Sequence, residues 1–421
     1  MLDSLGDNWR KQRRITASCF NDLNNEIVWA ESLSQARDML DSWLPKSSVG
    51  TIADDTRTLS LHVMARAGFG QSFKFHGHGE KLANVNDPAA VMSYRDSLQM
   101  ILENCILIMA LGPKFLAKPW LPHKLQTLHR ACVAFQQHMT SVYEGAKRSL
   151  AEGGGRTSER NLMASLVRAS QNDSDQSNSS GLTETEIYGN MFVFNFAGHD
   201  TTAHTFTFAL YFLAANPDVQ TWLSEEIRAV MGDRQPHEWS ASSDFPRLKR
   251  CLSVLFETLR LYQPVPPAKW TEGGTQSLKV GNKTLVLPPQ TMVIPSYAAL
   301  HTDPKHWGED SLTWRPQRWI TTDPETGAEE LISPTRGTFL GWSEGARDCP
   351  GRKFSQVEFV ATMAALFKDA RLDPVQRVED GETLEAARER VLDHIERDTG
   401  YVLLIQILHP ERCPLVWTER K

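Results

Sequence analysis

The 421-residue sequence predicts a mainly α protein with a small β region. Three observations carry this. Apolar residues recur at helical spacing from the start of the chain to about Tyr262. One stretch, 191–215, is apolar nearly all round, as expected of a helix buried inside a large core. Beyond Tyr262 the chain becomes loop-rich, with short strand-like runs at 278–280, 285–287 and 292–294. No internal repeat is visible, and residues 1–421 read as one domain. A chain of this length can bury a sizeable core. Its net charge of −6 offers no basic surface for nucleic acid. Cys19, Cys105, Cys132, Cys251, Cys349 and Cys413 lack the paired spacing of zinc ligands or of a disulfide framework, which predicts a reducing compartment. The first nine residues are short and polar, so no signal peptide or membrane anchor is read there.

The elements follow in order. Trp9 and Arg13 stand at i and i+4, on one face of a helix. Arg10, Lys11 and Arg14 add a basic face, either simply solvated or a landing patch for an acidic partner. The apolar stretch 106–111, with Pro113, Phe115, Leu116, Trp120 and Leu121, suits either helix packing or contact with a membrane surface. Residues 171–181 are rich in Asn, Ser, Asp and Gln and predict a mobile surface connection. Thr183 and Glu186 then form a capping box that starts a helix, and Pro217 stops it.

Within that helix, Gly198-His199-Asp200-Thr201-Thr202 interrupts the apolar run. Such polar residues argue against a membrane span and must be satisfied in a buried core. The threonines can bond back to the preceding turn. A cofactor site is the other solution, with Asp200 and Thr201 supplying an acid and a hydroxyl able to move protons. Glu257 and Arg260 share one helix face, and Arg318 follows in Trp314-Arg315-Pro316-Gln317-Arg318-Trp319.

The most informative run is 342–351. Cys349 sits just before an amphipathic helix opened by Gly351 and Arg352, with Phe354, Val357, Val360, Met363, Ala364 and Phe367 on its apolar face. A sulfur there points at backbone N–H groups and the positive end of a helix dipole, and both favour thiolate. Gly345 permits a tight turn, and Arg347 adds a cation. A buried structural thiol is the competing reading.

Together these motifs resemble the cytochrome P-450 haem-thiolate monooxygenases. Gly345, Arg347, Cys349 and Gly351 fall on that family's haem signature, with Trp342 where Phe is usual. Residues 197–202 match its oxygen-activation segment. Glu257, Arg260 and Arg318 match its structural triad, with Gln317 replacing the usual Glu, and 261–266 continue the pattern into a turn lining the pocket. Trp9 and Arg13 match its propionate-holding helix, and Lys269 is a further propionate candidate.

The resemblance implies the cytochrome P-450 fold and haem b with Cys349 as axial ligand. Trp9, Arg13 and Arg347 would hold propionates, Gly198 would let a planar ligand approach, and Asp200 with Thr201 would feed protons. It further implies electrons from an NADPH-cytochrome reductase and a monomer at the endoplasmic reticulum membrane or, for a chain read without an anchor, one that is cytosol-facing or soluble. The substrate would be a lipophilic small molecule bound near Phe192, Phe194, Asn195, Ala197 and 265–267. The style is closest to fungal microsomal members of secondary metabolism or detoxification. Retention of Asp200 and Thr201 speaks against an isomerase or dehydratase that uses haem without O2. The family places more chain, including an anchor and two strands, before the Trp9 helix. The expectation is therefore a protein incomplete at its N-terminus, with an open pocket and an exposed sheet edge. A catalytically impaired, haem-poor remnant is the alternative function.

Overall fold

Helical spacing becomes helix through most of the first 260 residues of the computed structural model. It describes residues 6–77, 92–151, 161–177, 181–266, 268–271 and 273–420, with the backbone alone for Arg95 and 172–177. The first helices are α1 (Gly6–Ala17), α2 (Asp22–Trp43), α3 (Ile52–Phe69), α4 (Tyr94–Glu103), α5 (Cys105–Leu111), α6 (Pro113–Leu116), α7 (His123–Ala151) and α8 (Leu162–Ser177). Then come α9 (Glu184–Ala215), α10 (Pro217–Met231), α11 (Ala241–Asp244) and α12 (Lys249–Leu261). After Tyr262, helices α13 (Tyr297–Thr302), α14 (Pro304–Trp307), α15 (Arg352–Phe367) and α16 (Leu384–Arg397) alternate with short strands.

Thr183 starts α9 as its spacing predicts. Its hydroxyl accepts from the Glu186 amide, while the Glu186 carboxylate accepts from the Thr183 amide. The helix stops at Ala215 because Pro217, at the head of α10, has no N–H to continue the ladder. From Thr202 to Ala215 every residue of α9 is buried, which is why that run is apolar all round. α3 lies along it, with Thr56 Oγ1 3.2 Å from Thr207 Oγ1. Phe206 stacks on Phe359 of α15 at 5.0 Å, and Phe212 on Trp314 at 4.9 Å.

The strands, among the described residues, form five two-stranded antiparallel ribbons. β1 (Lys269–Trp270) pairs with β4 (Met292–Val293), and β2 (Gln276–Val280) with β3 (Lys283–Leu287). β5 (Ile320–Thr322) pairs with β6 (Glu329–Leu331), and β8 (Thr399–Tyr401) with β9 (Ile405–Ile407). β7 (Ala370–Pro374) pairs with β10 (Leu415–Glu419), whose Trp417 stacks on Trp43 of α2 at 5.6 Å. All three strand-like runs of the sequence are therefore strands.

Two expectations change. The segment 171–181 was expected as a mobile connection, yet α8 carries helix through Ser177. Polar residues lower helix propensity by only tenths of a kcal/mol each, too little to break a helix already propagating. Residues 178–180 lie outside those described, as does Pro267 of the expected pocket lining. Phe194 and Asn195 were expected to line the pocket, but both are buried in the core. Phe194 packs edge-on against Phe20 at 5.1 Å, and Asn195 accepts from the Tyr94 hydroxyl at 3.2 Å.

The capping box generates a simple expectation. Thr183→Ala should lower stability by about 1 kcal/mol, and Thr183→Ser should restore most of it. Urea unfolding followed by circular dichroism measures both.

Candidate functional site

Cys349 lies at the head of α15, which is capped by Gly351. Its amide donates to the Trp342 carbonyl at 2.9 Å, closing the loop that carries it. Gly345 turns that loop with φ +89°, a left-handed conformation that a side chain would strain, and a Cβ there would meet nothing within 4 Å. Of the chain's six cysteines, Cys349 alone is exposed. Protein crowds the sulfur on its other sides. That burial pushes the thiol above its ordinary value, against the pull of the Gly351 amide and the charges of Arg13 and Arg352. The features expected to favour thiolate are present, but burial outweighs them in the protein by itself. Trp342 does not simply cap the sulfur. Its indole donates to Ser355 Oγ at 2.9 Å, and Arg352 lies 5.2 Å over its ring.

Residues from opposite ends of the chain converge beside this loop. Arg13 donates to the Asp348 carbonyl at 2.8 Å and pairs with the Asp348 carboxylate. Arg347 sits 4.6 Å over the Trp9 ring. Burial, and then the charge of Arg347, push the Lys269 ammonium down, with Asp348 opposing. Trp9, Arg13, Arg347 and Lys269 thus gather next to Cys349. Like charges drawn together in partial burial make a setting that a bound anion relieves. An accessible sulfur beside cations of this kind fits a flat, anionic, iron-bearing group.

The loop is held from behind. Glu257 and Arg260 are both fully buried and paired twice at 2.8 Å, while Arg318 Nε reaches the same carboxylate at 2.8 Å. The Trp319 indole and the Arg315 amide also donate to Glu257. Arg260 donates onward to the carbonyls of His301 and Ser311, each at 2.6 Å. His301 completes the link: its Nδ1 faces the Arg260 carbonyl at 3.0 Å, and its Nε2 accepts from the Leu340 amide at 2.9 Å. Gln263 donates to the Leu340 carbonyl at 2.9 Å. Leu340 lies nine residues before Cys349, so the network clamps the loop's entrance. Arg318 keeps its place despite Gln317, whose side-chain oxygen is buried and has no hydrogen-bond partner among the described residues.

On α9, Thr201 Oγ1 donates to the Ala197 carbonyl at 2.8 Å, so the hydroxyl bonds back along its own helix. Ala197 is exposed, and Thr201, one turn later, lies on the same face. A Cβ on Gly198 would fall 2.3 Å from Met64 Cε, so the space this glycine leaves is taken by a side chain of α3. Asp200 accepts from Arg57 Nε at 2.9 Å. Burial raises the Asp200 carboxyl, but His199, Arg57 and His204 together hold it below the usual carboxylate range. Arg57, His301, Asp348 and Met64 were not singled out in the sequence. Each acts through a partner far away in the chain, and no local pattern marks them.

A helical core carrying an accessible loop cysteine, backed by a buried Arg–Glu–Arg network and flanked by cations, defines a haem-protein architecture. Comparison with known proteins agrees. The cytochrome P-450 family model matches residues 1–394. A cytochrome P-450 monooxygenase of Arthrobotrys oligospora is 30% identical, over 96% of this chain and 73% of its own length. The phomenoic acid biosynthesis cluster cytochrome P-450 monooxygenase of Leptosphaeria maculans is 30% identical, over 93% of this chain and 70% of its own. A cytochrome P-450 crystal structure superposes with TM-score 0.70 at 19% identity, covering 99% of this chain and 83% of that one. The chain belongs to the cytochrome P-450 family. It is a monooxygenase of the haem-dependent kind, and no observation favours the impaired remnant.

The clamp makes a pH prediction. His301 is buried, which pushes its pKa down from 6.5 to about 4, with the Arg260 charge adding to this and the bond to the Arg260 carbonyl opposing it. It is neutral in the fold, and protonation would cost the bond from Leu340. The unfolded chain therefore binds this proton more tightly. Its contribution is full above pH 6.5 and lost as pH falls through about 4, to a total of roughly 3 kcal/mol. His301→Gln should flatten that part of the stability-versus-pH curve, measured by denaturant titration from pH 7.5 to 4.

Proposed function

We propose that Cys349 is the axial ligand of haem b and that the protein inserts one atom of O2 into a lipophilic small molecule. Its electrons come from NADPH through a cytochrome reductase. The observation that carries this reading is the convergence of Trp9, Arg13, Arg347 and Lys269 on the one exposed cysteine. Bound there, the haem supplies activation of dioxygen through its iron.

The chain's own residues do the rest. Arg13 and Arg347 would neutralise the propionates, with Lys269 as a further cation and Trp9 as a platform. Gly345 and Gly351, without side chains, would leave room beside the loop for a flat group. Burial opposes thiolate in the protein by itself, and a bound metal cation would favour the deprotonated sulfur. Thr201 faces the same side as Ala197, and its hydroxyl, which donates to the Ala197 carbonyl, would hold or pass on a proton on that side. Asp200 is the acid that refills it. Phe192, Phe196 and Val265 are at least partly open and apolar, which suits a lipophilic substrate.

Two surfaces support the partners. Arg352 and Lys353 are exposed at the head of α15, and Arg10 and Arg14 on α1, in reach of an acidic reductase. Lys11, read with them in the sequence, is instead tied to Glu186 and to the Gly181 carbonyl. Ile106, Met109, Phe115 and Trp120 are exposed beside Lys114 and Lys118, a composition suited to a membrane surface such as that of the endoplasmic reticulum. Among the described residues no helix is long and apolar enough to cross a membrane.

Cys349→Ser should abolish the red-shifted absorption of the ferrous carbon monoxide adduct that marks a thiolate ligand, while Cys132→Ser and Cys413→Ser should retain it. A visible difference spectrum reads this directly. Loss of the band in Cys413→Ser with retention in Cys349→Ser would assign the ligand elsewhere.

A further inference from the structure

Trp342 shares the cysteine loop with Cys349, whose amide donates to the Trp342 carbonyl at 2.9 Å. Its indole has a single polar atom, Nε1–H, which donates and cannot accept. That one donor is committed to Ser355 Oγ at 2.9 Å. Ser355 stands in the first turn of α15, and its own proton goes to the Arg352 carbonyl at 3.0 Å. A hydroxyl has one proton and two lone pairs. With the proton on Arg352, a lone pair is left for the indole, and both groups are satisfied in one arrangement.

The rest of the ring is held by contacts that do not choose where its N–H points. Phe256 and Phe339 meet it edge-on at 5.6 and 6.2 Å, and the Arg352 guanidinium lies 5.2 Å over its ring. The destination of that N–H matters because a second acceptor shares the loop. A Cβ on Gly351 would fall 3.8 Å from Cys349 Sγ, so the sulfur lies at the opening of α15, the turn that also carries Ser355. The Gly351 amide already donates to this sulfur. Each donor that reaches an axial thiolate draws electron density from it, and such bonds are one lever by which a protein sets the reduction potential of an iron. Without the Ser355 hydroxyl, the only polar atom of a half-buried indole would lose its partner, which is costly, and the sulfur is the acceptor the loop then offers.

We propose that Ser355 is a positioning residue that keeps the Trp342 indole N–H off the Cys349 sulfur and so keeps that sulfur electron-rich. This rests on the reading of Cys349 as the axial ligand. Ser355 itself touches neither substrate nor cofactor in this role and acts through Trp342.

The test uses the full-chain holoenzyme without added substrate and reads the midpoint of the ferric–ferrous couple by spectroelectrochemical titration. Ser355→Ala should raise the midpoint, because a donor on the sulfur favours the more electron-rich ferrous state. Ser355→Thr keeps the hydroxyl and should stay at the wild-type value. Trp342→Phe should stay there too, since the N–H it removes is not on the sulfur. Ser355→Ala combined with Trp342→Phe should return the midpoint to wild type. The infrared stretch of carbon monoxide on the ferrous form is the second readout, and it should move up in Ser355→Ala alone. A midpoint unmoved in Ser355→Ala, or a rise that survives in the double variant, overturns the role of Ser355. If Ser355→Ala does not retain haem, Trp342→Phe decides. A lowered midpoint there means that the indole already donates to the sulfur and overturns the role, whereas a wild-type midpoint supports it. The two readings fail separately. A thiolate carbon monoxide band that survives Cys349→Ser removes the ligand assignment. Loss of that band in Cys349→Ser, with no shift in Ser355→Ala, removes only the role of Ser355.

Discussion

Everything on the cysteine side of this protein hangs on one buried carboxylate. Glu257 receives hydrogen bonds from two guanidinium groups, an indole and a backbone amide, so its charge is shared among four donors. Leaving one such charge unpaired in a core costs several kcal/mol, whereas the complete set is self-consistent. Arg260, fixed by Glu257, fixes the carbonyls of His301 and Ser311. His301 then holds the Leu340 amide, and the segment from Leu340 leads into the turn that presents Cys349. The order of these contacts turns a helix-borne ion pair into a positional constraint on a sulfur about ninety residues away.

The distal side is organised by a different balance. α9 is apolar enough to be buried whole, and its polar interruption survives because α3 answers it side chain by side chain. Arg57 meets Asp200, and Met64 fills the space above Gly198. The interruption is thus both satisfied and partly open, since Ala197 faces outward while His199 faces in. That combination leaves one face of the helix in the core and another open.

How much of this was legible in the sequence follows from how local each signal is. The capping box at Thr183, the stop before Pro217, the Gly351 cap and the Glu257–Arg260 face depend on residues within four positions of each other, and all stand where their spacing puts them. Phe194 and Asn195 were misassigned because a helix apolar all round hides which face meets the core. The helix through 171–177 was missed because polar composition is a weak breaker. The Cys349 environment was half legible: the amide and cations could be read, but the burial that outweighs them comes from packing. Arg57–Asp200 and His301–Leu340 bridge 143 and 39 positions, and only the fold brings them together.

The claim that the Glu257 network positions the cysteine is tested most directly by Glu257→Gln. Gln keeps the size but removes the charge shared by Arg260 and Arg318, a loss of roughly 3–5 kcal/mol in a buried network. Transfer of haem from the protein to excess apomyoglobin should be at least about tenfold faster than in wild type, with the thiolate carbon monoxide band weakened in proportion. Wild-type retention of haem and an unchanged band in Glu257→Gln would contradict the account.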